Sequence, residues 1–231
     1  MTSYRLRLAT ASDAEAICRI YNEGIEDRVA TLETELRTPD ERRQWLANRS
    51  PRHPVIVAEF AEFVVAGSVR PALTEGGLKQ VRPGSGSADN PSAGNPSADN
   101  PSGDNRSADN RSAENRSADS RSADNPLGVI AWASLNVFNA RECYRFVADI
   151  SVYVERSWRG KGVGRALLEK LTELGRQHGF HKLVLSAFPG NAGGMALYAK
   201  SGFRTVGIYH EQGQLDGNWV DTIVMEKLLS V

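Results

Sequence analysis

A glycine-bearing turn between a strand and a helix is the most informative chemical feature of the sequence. After the apolar segment 149–154 and four further residues come Arg159, Gly160, Lys161, Gly162, Val163 and Gly164, which open a helix. Glycine lets the backbone approach a ligand, the first N–H groups of a helix lack intrahelical partners, and the helix dipole favours negative charge. Arg159 and Lys161 add positive charge. The stretch therefore predicts a phosphate or pyrophosphate site, with an ordinary tight turn as the alternative.

Two other nucleotide-binding patterns are excluded. A P-loop needs Lys and then Ser or Thr after its second spaced glycine, but Gly164 is followed by Arg165 and Ala166. A dinucleotide-binding fold places its glycines early in the chain and carries an acid at the end of the next strand. Here the glycines come late, and the segment 182–187 ends without an acid.

The composition argues against several classes of partner. The 231 residues include 28 basic and 28 acidic side chains, so the net charge is zero and favours neither nucleic acid nor a basic membrane-binding surface. The sequence has no apolar run of about 18 residues, and its first residues mix charged with apolar types, so we expect no membrane association and a cytoplasmic location. Cys18 and Cys143 lie far apart without metal-ligand spacing, so we expect no disulfide framework and no bound metal.

Residues 87–126 form a repeat of pentapeptides such as SADNP and SADNR. The repeat contains no aromatic and no β-branched side chain, so it cannot bury enough apolar surface to offset the entropy of ordering its backbone. We expect it to be disordered, within an inserted loop at 71–126. Apolar runs at 55–59, 60–69 and 129–135 predict strands around the loop, which would lengthen a β-hairpin. The rest has the size of one domain, so residues 1–231 are predicted to form a single domain.

The other elements alternate between helix and strand. Apolar periodicity and capping residues predict helices at 13–25, from Thr38 onward, at 162–178 and at 194–200. Apolar runs predict strands at 128–136, 144–154, 182–187, 204–210 and 219–228. Because helices both precede and separate the strands, the expected fold class is α/β, with a mixed α+β sheet covered on both faces.

These motifs resemble the GCN5-related N-acetyltransferase (GNAT) family. The family signature is Arg or Gln, two residues, Gly, one residue, and Gly or Ala, and Arg159–Gly164 matches every fixed position. Asn191, Leu197–Tyr198 and Gly202–Phe203 match the second half of the pattern. Within the family the chain is most similar to the phosphinothricin, arsinothricin and methionine sulfoximine N-acetyltransferases, in segments 20–22, 28–34, 140–144, 149–154 and 217–221. The repeat is foreign to this pattern.

The resemblance implies a GNAT acyl-CoA N-acyltransferase fold, with acetyl-CoA as co-substrate and a substrate amine that attacks the thioester directly. The family places an acid three residues before the 152–154 segment, so Asp149 would remove the proton of the attacking ammonium, through a water because Asp is short. An ion pair of Asp149 with Arg141 or Arg145 is the alternative. Tyr198 would protonate the departing thiolate, or else be a half-buried packing residue.

The resemblance also implies two sets of binding residues. The acetyl-CoA set comprises Val152, Tyr153, Val154, Arg159, Gly160, Lys161, Gly162, Val163, Gly164, Arg165 and Asn191. Asn191 is alternatively only a helix cap. The acceptor set centres on Arg141, whose planar guanidinium can bind a carboxylate bidentately. Tyr144, Phe138 and Thr31 would line the same pocket, with strand packing as the alternative for each.

We therefore expect an enzyme that acetylates the amino group of a small amino-acid analogue and so detoxifies it. Acetylation of a protein N-terminus or lysine is an alternative, which needs an open peptide groove. A non-catalytic acyl-CoA-binding module is the alternative outside enzymes, and a missing acid at position 149 or a broken glycine turn would favour it. Neither defect is present. The family resemblance further implies a homodimer.

Overall fold

The computed structural model describes residues 4–60 and 128–229. The strands are β1 (Tyr4–Leu8), β2 (Val55–Phe60), β3 (Val129–Val137), β4 (Val147–Val154), β5 (Lys182–Ala187), β6 (Arg204–Leu215) and β7 (Asn218–Leu228). The helices are α1 (Ala14–Glu26), α2 (Pro39–Ala47), α3 (Val163–Gln177) and α4 (Ala192–Lys200). All of these belong to one unit of the chain, Met1–Ser68 with Ser122–Val231, and the other unit, Val69–Arg121, lies outside the described residues.

The strands form one seven-stranded mixed sheet in the order β1-β2-β3-β4-β5-β7-β6. The β4–β5 pair is parallel, and every other neighbouring pair is antiparallel. Two apolar clusters lie on the two faces. One packs α3 against the sheet through Leu167, Leu168 and Leu171, and the other packs α1 through Ile17 and Ile20. The predicted mixed α/β fold, covered on both faces, is therefore confirmed.

The helix that was expected from Thr38 onward begins as its sequence predicts. The Glu41 N–H donates to Thr38 Oγ1 at 3.3 Å, while the Thr38 N–H donates to Glu41 Oε2 at 2.6 Å. Pro39 occupies the first turn, where the absent N–H would have had no helical partner. These contacts fix the start of α2 and, through it, the segment after α2 that carries Arg49.

Strands β2 and β3 are antiparallel neighbours, and the Phe60 N–H donates to Gly128 O at 2.8 Å. Residues 61–127 therefore connect the two strands of a hairpin, as the apolar runs on either side predicted. The strand that was predicted to continue to residue 69, the inserted loop at 71–126 and the repeat at 87–126 lie outside the described residues. The single-domain assignment stays a prediction.

Candidate active site

The sheet opens between β4 and β5, next to the glycine turn. The two strands pair only at their beginnings, and the last pair joins Asp149 to Val184. Strand β4 nevertheless continues to Val154 and β5 to Ala187. The edge of β4 beyond Asp149 therefore faces a gap where a regular parallel sheet would have a strand partner.

Alternation along β4 determines which backbone groups face this gap. The Glu155 N–H, directly after the strand, donates to Ile130 O on β3 at 3.0 Å. Successive N–H groups of a strand point to opposite edges, so those of Val152 and Val154 point toward the gap. An extended ligand between β4 and β5 could accept hydrogen bonds from both.

The turn that leads into α3 has the backbone that its glycines predict. Gly160 and Gly162 have φ values of 74° and 87°, in the left-handed region that favours glycine. Gly162 is the N-cap residue of α3. Because it has no side chain to accept hydrogen bonds from the first-turn N–H groups, it leaves those groups available to a ligand. A Cβ on Gly164 would lie 2.9 Å from Leu197 Cδ2, so glycine there lets α3 and α4 approach closely.

The three cations of the turn have different surroundings. The Arg159 guanidinium donates to Asp27 Oδ2 at 2.6 Å and to Val154 O at 3.1 Å, so it links the turn to α1 and β4. Arg165 pairs with Glu169 at 2.8 Å on the exposed face of α3. The Lys161 ammonium lies 5.1 Å from the centre of the Trp158 ring, and no described carboxylate pairs with it. Lys161 is thus the cation of this turn that has no ion-pair partner among the described residues, so it can bind an anion without first breaking an ion pair to one of them.

A narrow cavity lies in the gap between β4 and β5. It is lined by Val29, Ala30, Ile150, Ser151, Val152, Tyr153, Leu185, Ser186, Ala187, Asn191 and Tyr198. Asn191 Oδ1 accepts the Gly194 N–H at 2.9 Å, so Asn191 caps α4 and lines the cavity at the same time. Four of the predicted site residues, Val152, Tyr153, Asn191 and Tyr198, therefore meet here.

Side chains alternate between the two faces of the β3–β4 pair. Leu135 and Ile150 are cross-strand partners on the α3 face, within the larger apolar cluster. The α1 face instead carries the pairs Asn136–Asp149, Ser134–Ser151 and Trp132–Tyr153. Asp149 thus precedes the cavity-lining Ser151 by two residues on the same face.

Asp149 is held by neutral hydrogen-bond donors. Asn136 Nδ2 donates to Asp149 Oδ2 at 3.3 Å, and the Ile150 N–H also donates to the carboxylate. Burial raises the pKa of Asp149 to about 6, although both hydrogen bonds act to lower it. The alternative ion pair is not formed among the described residues, since Arg145 pairs with Glu142 at 2.7 Å and Asp149 has no basic partner.

Tyr198 of α4 lies close enough to Asp149 for the two groups to interact electrostatically. Burial raises the pKa of its phenol to about 12, and the negative charge of Asp149 contributes to the rise. The ring also packs against Phe203, with centroids 6.1 Å apart. Tyr198 therefore combines the packing role with a protonated hydroxyl in the cavity.

Tyr153 belongs to an aromatic cluster on the α1 face. Its ring stacks on Trp132 at 4.8 Å and lies 4.9 Å from the ring of Tyr21. Burial is the main reason that the pKa of Tyr153 is raised well above its usual value, and the neighbouring Tyr21 adds to the effect. Its phenol therefore stays protonated at every physiological pH.

The predicted acceptor residues lie on two loops outside the cavity lining. Phe138, Arg141 and Tyr144 are exposed in the β3–β4 connection, where the Phe138 and Tyr144 rings make an edge contact at 5.6 Å. Thr31 follows α1 and accepts the Glu33 N–H at 3.1 Å. The structure does not bring these four residues into the cavity, and their role in binding stays a prediction.

Sequence reasoning missed the residues behind Asp149. Asn136 Oδ1 accepts hydrogen bonds from Ser134 Oγ at 2.9 Å and from Arg49 Nη1 at 3.0 Å. The alternation of apolar and polar residues along 132–136 would have placed Ser134 and Asn136 on one face. No sequence signal connects Arg49 to them, because the contact joins residues far apart in the chain.

In the part of the chain that the structure describes, no three His, Cys, Asp or Glu side chains are grouped closely enough to hold a metal ion. None of the described helices has the length and apolarity to cross a membrane.

Comparisons with known proteins agree with this geometry. The Acetyltransferase (GNAT) family model matches residues 100–203. The chain is 25% identical to the Bacillus subtilis (strain 168) protein named "Putative phosphinothricin acetyltransferase YwnH", over 97% of this chain and 99% of the relative. It is 36% identical to an L-methionine sulfoximine/L-methionine sulfone acetyltransferase of Pseudomonas paraeruginosa (strain DSM 24068 / PA7), over 42% of this chain and 57% of the relative.

A solved structure extends the comparison to the fold. The GNAT superfamily phosphinothricin acetyltransferase of Sinorhizobium meliloti, solved in complex with AcCoA, is 22% identical and superposes with a TM-score of 0.67 over 100% of this chain and 90% of that chain. The opened sheet followed by the glycine turn and α3 is thus a GNAT fold. The chain carries a GNAT acetyltransferase domain, and its enzyme class is N-acetyltransferase.

Proposed function

We propose that the enzyme transfers the acetyl group of acetyl-CoA to the amino group of a small amino-acid analogue such as phosphinothricin, arsinothricin or methionine sulfoximine, and so detoxifies it. The opening between β4 and β5, which runs into the start of α3, carries the proposal. It combines outward strand N–H groups with a helix start that favours an anion. The names of the relatives support the class of acceptor.

The residues around the opening fit acetyl-CoA. The N–H groups of Val152 and Val154 can pair with the pantetheine arm, and the first turn of α3 with Lys161 can bind the pyrophosphate. Gly162 leaves this approach open, because no atom lies within 4 Å of where a Cβ would stand. When bound, acetyl-CoA supplies an acyl thioester that an amine can attack.

Asp149 supplies the base. With a pKa of about 6 the carboxylate is largely ionised at neutral pH, yet more basic than an ordinary aspartate. It can therefore take a proton from the substrate ammonium, through a water because the side chain is short and is not itself part of the cavity lining. The amine nitrogen then forms a bond to the acetyl carbon, and the carbon–sulfur bond breaks.

Tyr198 suits stabilisation of the leaving thiolate. Its phenol remains protonated at neutral pH and can donate a hydrogen bond into the cavity. Full proton transfer to a thiolate would be uphill, because an ordinary thiol has a pKa of about 8.5, well below that of this phenol. The structure thus supports hydrogen-bond donation more strongly than the proton transfer that the family resemblance implies.

Arg141 is the proposed ligand of the acceptor's carboxylate. Its side chain is exposed and has no carboxylate partner among the described residues, whereas the neighbouring Arg145 is already paired with Glu142. Tyr144 and Phe138 would contact the apolar part of the acceptor. The same exposure would suit a peptide surface, so acetylation of a protein N-terminus or lysine is the second candidate function.

We also propose a homodimer. Strand β6 is the last strand of the sheet, and the β6–β7 hairpin exposes Val206, Ile208, Tyr209 and Trp219 by 47–59%. An exposed apolar sheet edge is a typical association surface. Light scattering on a size-exclusion column should give twice the chain mass, and Ile208→Lys should give a monomer. A monomeric parent protein would contradict this assembly.

A cytoplasmic location stays a prediction.

A thiol-release assay tests the function directly. Purified enzyme and acetyl-CoA are mixed with phosphinothricin, methionine sulfoximine, a lysine-containing peptide or the amine-free buffer. The proposal expects thiol release with the two analogues, and mass spectrometry should show one added acetyl group. Release with the peptide alone would favour the second candidate, and no release with any amine would favour the non-catalytic binding module.

A further inference from the structure

The amide of Asn136 has its orientation fixed from behind. Its Oδ1 accepts from both Arg49 Nη1 and Ser134 Oγ, so its Nδ2 must point the other way. There Nδ2 donates to Asp149 Oδ2 at 3.3 Å and to Ser151 Oγ at 3.0 Å. A guanidinium at the carbonyl end of an amide polarises the amide and makes its N–H groups stronger donors.

Arg49 is committed to this network. It donates to His53 O at 3.0 Å and to Leu135 O, and its guanidinium lies 4.9 Å from the centre of the Trp45 ring. No described carboxylate pairs with Arg49, and burial lowers the pKa of its guanidinium. The Arg49 guanidinium and the Asp149 carboxylate therefore lie at opposite ends of the Asn136 amide.

We propose that Arg49 and Asn136 are positioning residues that orient Asp149 and stabilise its ionised form, which rests on the proposed function of Asp149 as the base. Donation to a carboxylate favours the charged state. The pair therefore keeps Asp149 ionised at neutral pH despite the burial that opposes ionisation. This coupling lies beyond the role of Asp149 itself.

Among the described residues of the other elements packed around Asp149, one titratable group interacts with it. Tyr198 of α4 faces it and is neutral at physiological pH. On β5 the neighbouring positions are Leu183 and Val184, which do not titrate, and Lys182 at the start of the strand pairs with Glu226 at 2.9 Å. Beside the Ile150 N–H, the Asn136 amide with Arg49 at its carbonyl end is therefore the donor to the Asp149 carboxylate among the described residues.

The pH dependence of turnover tests the proposal. Asn136→Leu removes the donor at similar size, so the acid limb of the kcat profile for methionine sulfoximine should move up by about one pH unit. From a pKa near 6, that shift lowers kcat about fivefold at pH 6 and hardly at pH 8.5. Asn136→Asp should move the limb further, because a second carboxylate disfavours ionisation. Arg49→Met should move it less, and Gln177→Leu on the exposed end of α3 is the matched control.

A merely structural role would lower kcat at all pH values and leave the limb in place, and that result would overturn the proposal. Carbon-13 titration of the Asp149 carboxyl, assigned by its loss in Asp149→Asn, gives the same comparison without turnover. An unmoved carboxyl pKa in the folded variants would equally overturn it. If the carboxyl pKa moves while Asp149→Asn keeps full turnover, the coupling stands and the base assignment fails.

Discussion

At the scale of single residues, burial and hydrogen bonding have opposite effects on the pKa of Asp149. Burial raises the pKa to about 6 from the ordinary value of 3.8, and the donors from Asn136 and Ile150 limit that rise. The carboxylate is thus kept basic enough to accept a proton and acidic enough to be ionised near neutrality. Because burial disfavours the ionised carboxylate, the raised pKa also lowers the stability of the folded protein at neutral pH.

Asp149→Asn should separate activity from stability. Because the folded pKa is raised, folding favours the protonated carboxyl, so the wild type loses stability relative to the variant as pH rises from about 4 through about 6. Above that window the variant should be more stable by up to about 3 kcal/mol, while its turnover falls about 100-fold to 10,000-fold. Thermal unfolding from pH 3.5 to 8 and steady-state kinetics measure the two effects.

Calorimetry should show an acetyl-CoA dissociation constant within about twofold of the wild type for Asp149→Asn, since the carboxylate acts in the chemical step. Glu173→Gln, an exposed carboxylate on α3, is the control for loss of one charge. Turnover near the wild-type value across pH 6–9 would contradict the base assignment.

Arg141→Lys tests recognition of the acceptor carboxylate. An ammonium cannot reproduce the planar pair of hydrogen bonds, so the KM for methionine sulfoximine should rise roughly 10-fold or more while acetyl-CoA binding is unchanged. Arg145→Lys, four residues along the same loop, is the matched control because Arg145 is paired with Glu142. Equal efficiency toward the analogue and its decarboxylated counterpart would exclude carboxylate recognition.

At the scale of elements, the separation of β4 from β5 after Asp149 creates the site. The separation leaves one edge of β4 without a strand partner. After β4 the chain passes through Gly160 and Gly162, both in the left-handed region, and enters α3. Arg159 fixes this turn to Asp27, directly after α1, so the first residue of the matched signature acts here as a structural link. The proposed pyrophosphate site therefore depends on backbone N–H groups and Lys161.

Gly162→Val should weaken acetyl-CoA binding roughly 10-fold or more while the fold is retained. The side chain would strain a backbone at φ 87° by about 1–2 kcal/mol and would project where a pyrophosphate approaches. Gly179→Val is the matched control, since Gly179 also has positive φ (71°) and no atom within 4 Å of where a Cβ would stand, but lies beyond the far end of α3. Calorimetry should show lost affinity for the first variant alone, and equal affinity in both would argue against this loop as the site.

At the scale of the whole molecule, one long connection joins two strands that pair directly. The β2–β3 register runs from Val55–Ser134 to Glu59–Val129, and the sheet order does not require any residue of the repeat. The entropy of closing a loop changes only logarithmically with its length. A short connection should therefore serve this hairpin as well as the long one.

Deletion of residues 87–125 should leave kcat and the unfolding midpoint nearly unchanged, because the repeat's composition predicts no buried apolar surface. Brief protease treatment should cut the intact chain first within this segment. Mass spectrometry locates the cuts, and kinetics and thermal unfolding compare the two chains. Resistance of the segment to protease, or failure of the shortened chain to fold, would show that the repeat contributes to the fold.

The sequence by itself determined most of the element order and the family. Local signals suffice for α2, whose Thr38–Glu41 capping box formed as predicted, and for the glycine turn into α3. They did not predict β1, because Tyr4–Leu8 lies at an edge where alternating Arg and Leu residues give a short, weak pattern. The 3₁₀ turn at Glu142–Tyr144 likewise replaced the start of the predicted strand 144–154.

Only the tertiary structure decided how Asp149 is held and which cations are free. The pairing of Asn136 with Asp149 depends on the β3–β4 register, and Arg49 reaches Asn136 from 87 positions away in the chain. Arg159 likewise meets Asp27 across 132 positions. Such contacts depend on how helices and strands pack, and packing has no local sequence signal. The residue types therefore predicted the chemistry, and long-range packing determined the charge environment in which that chemistry takes place.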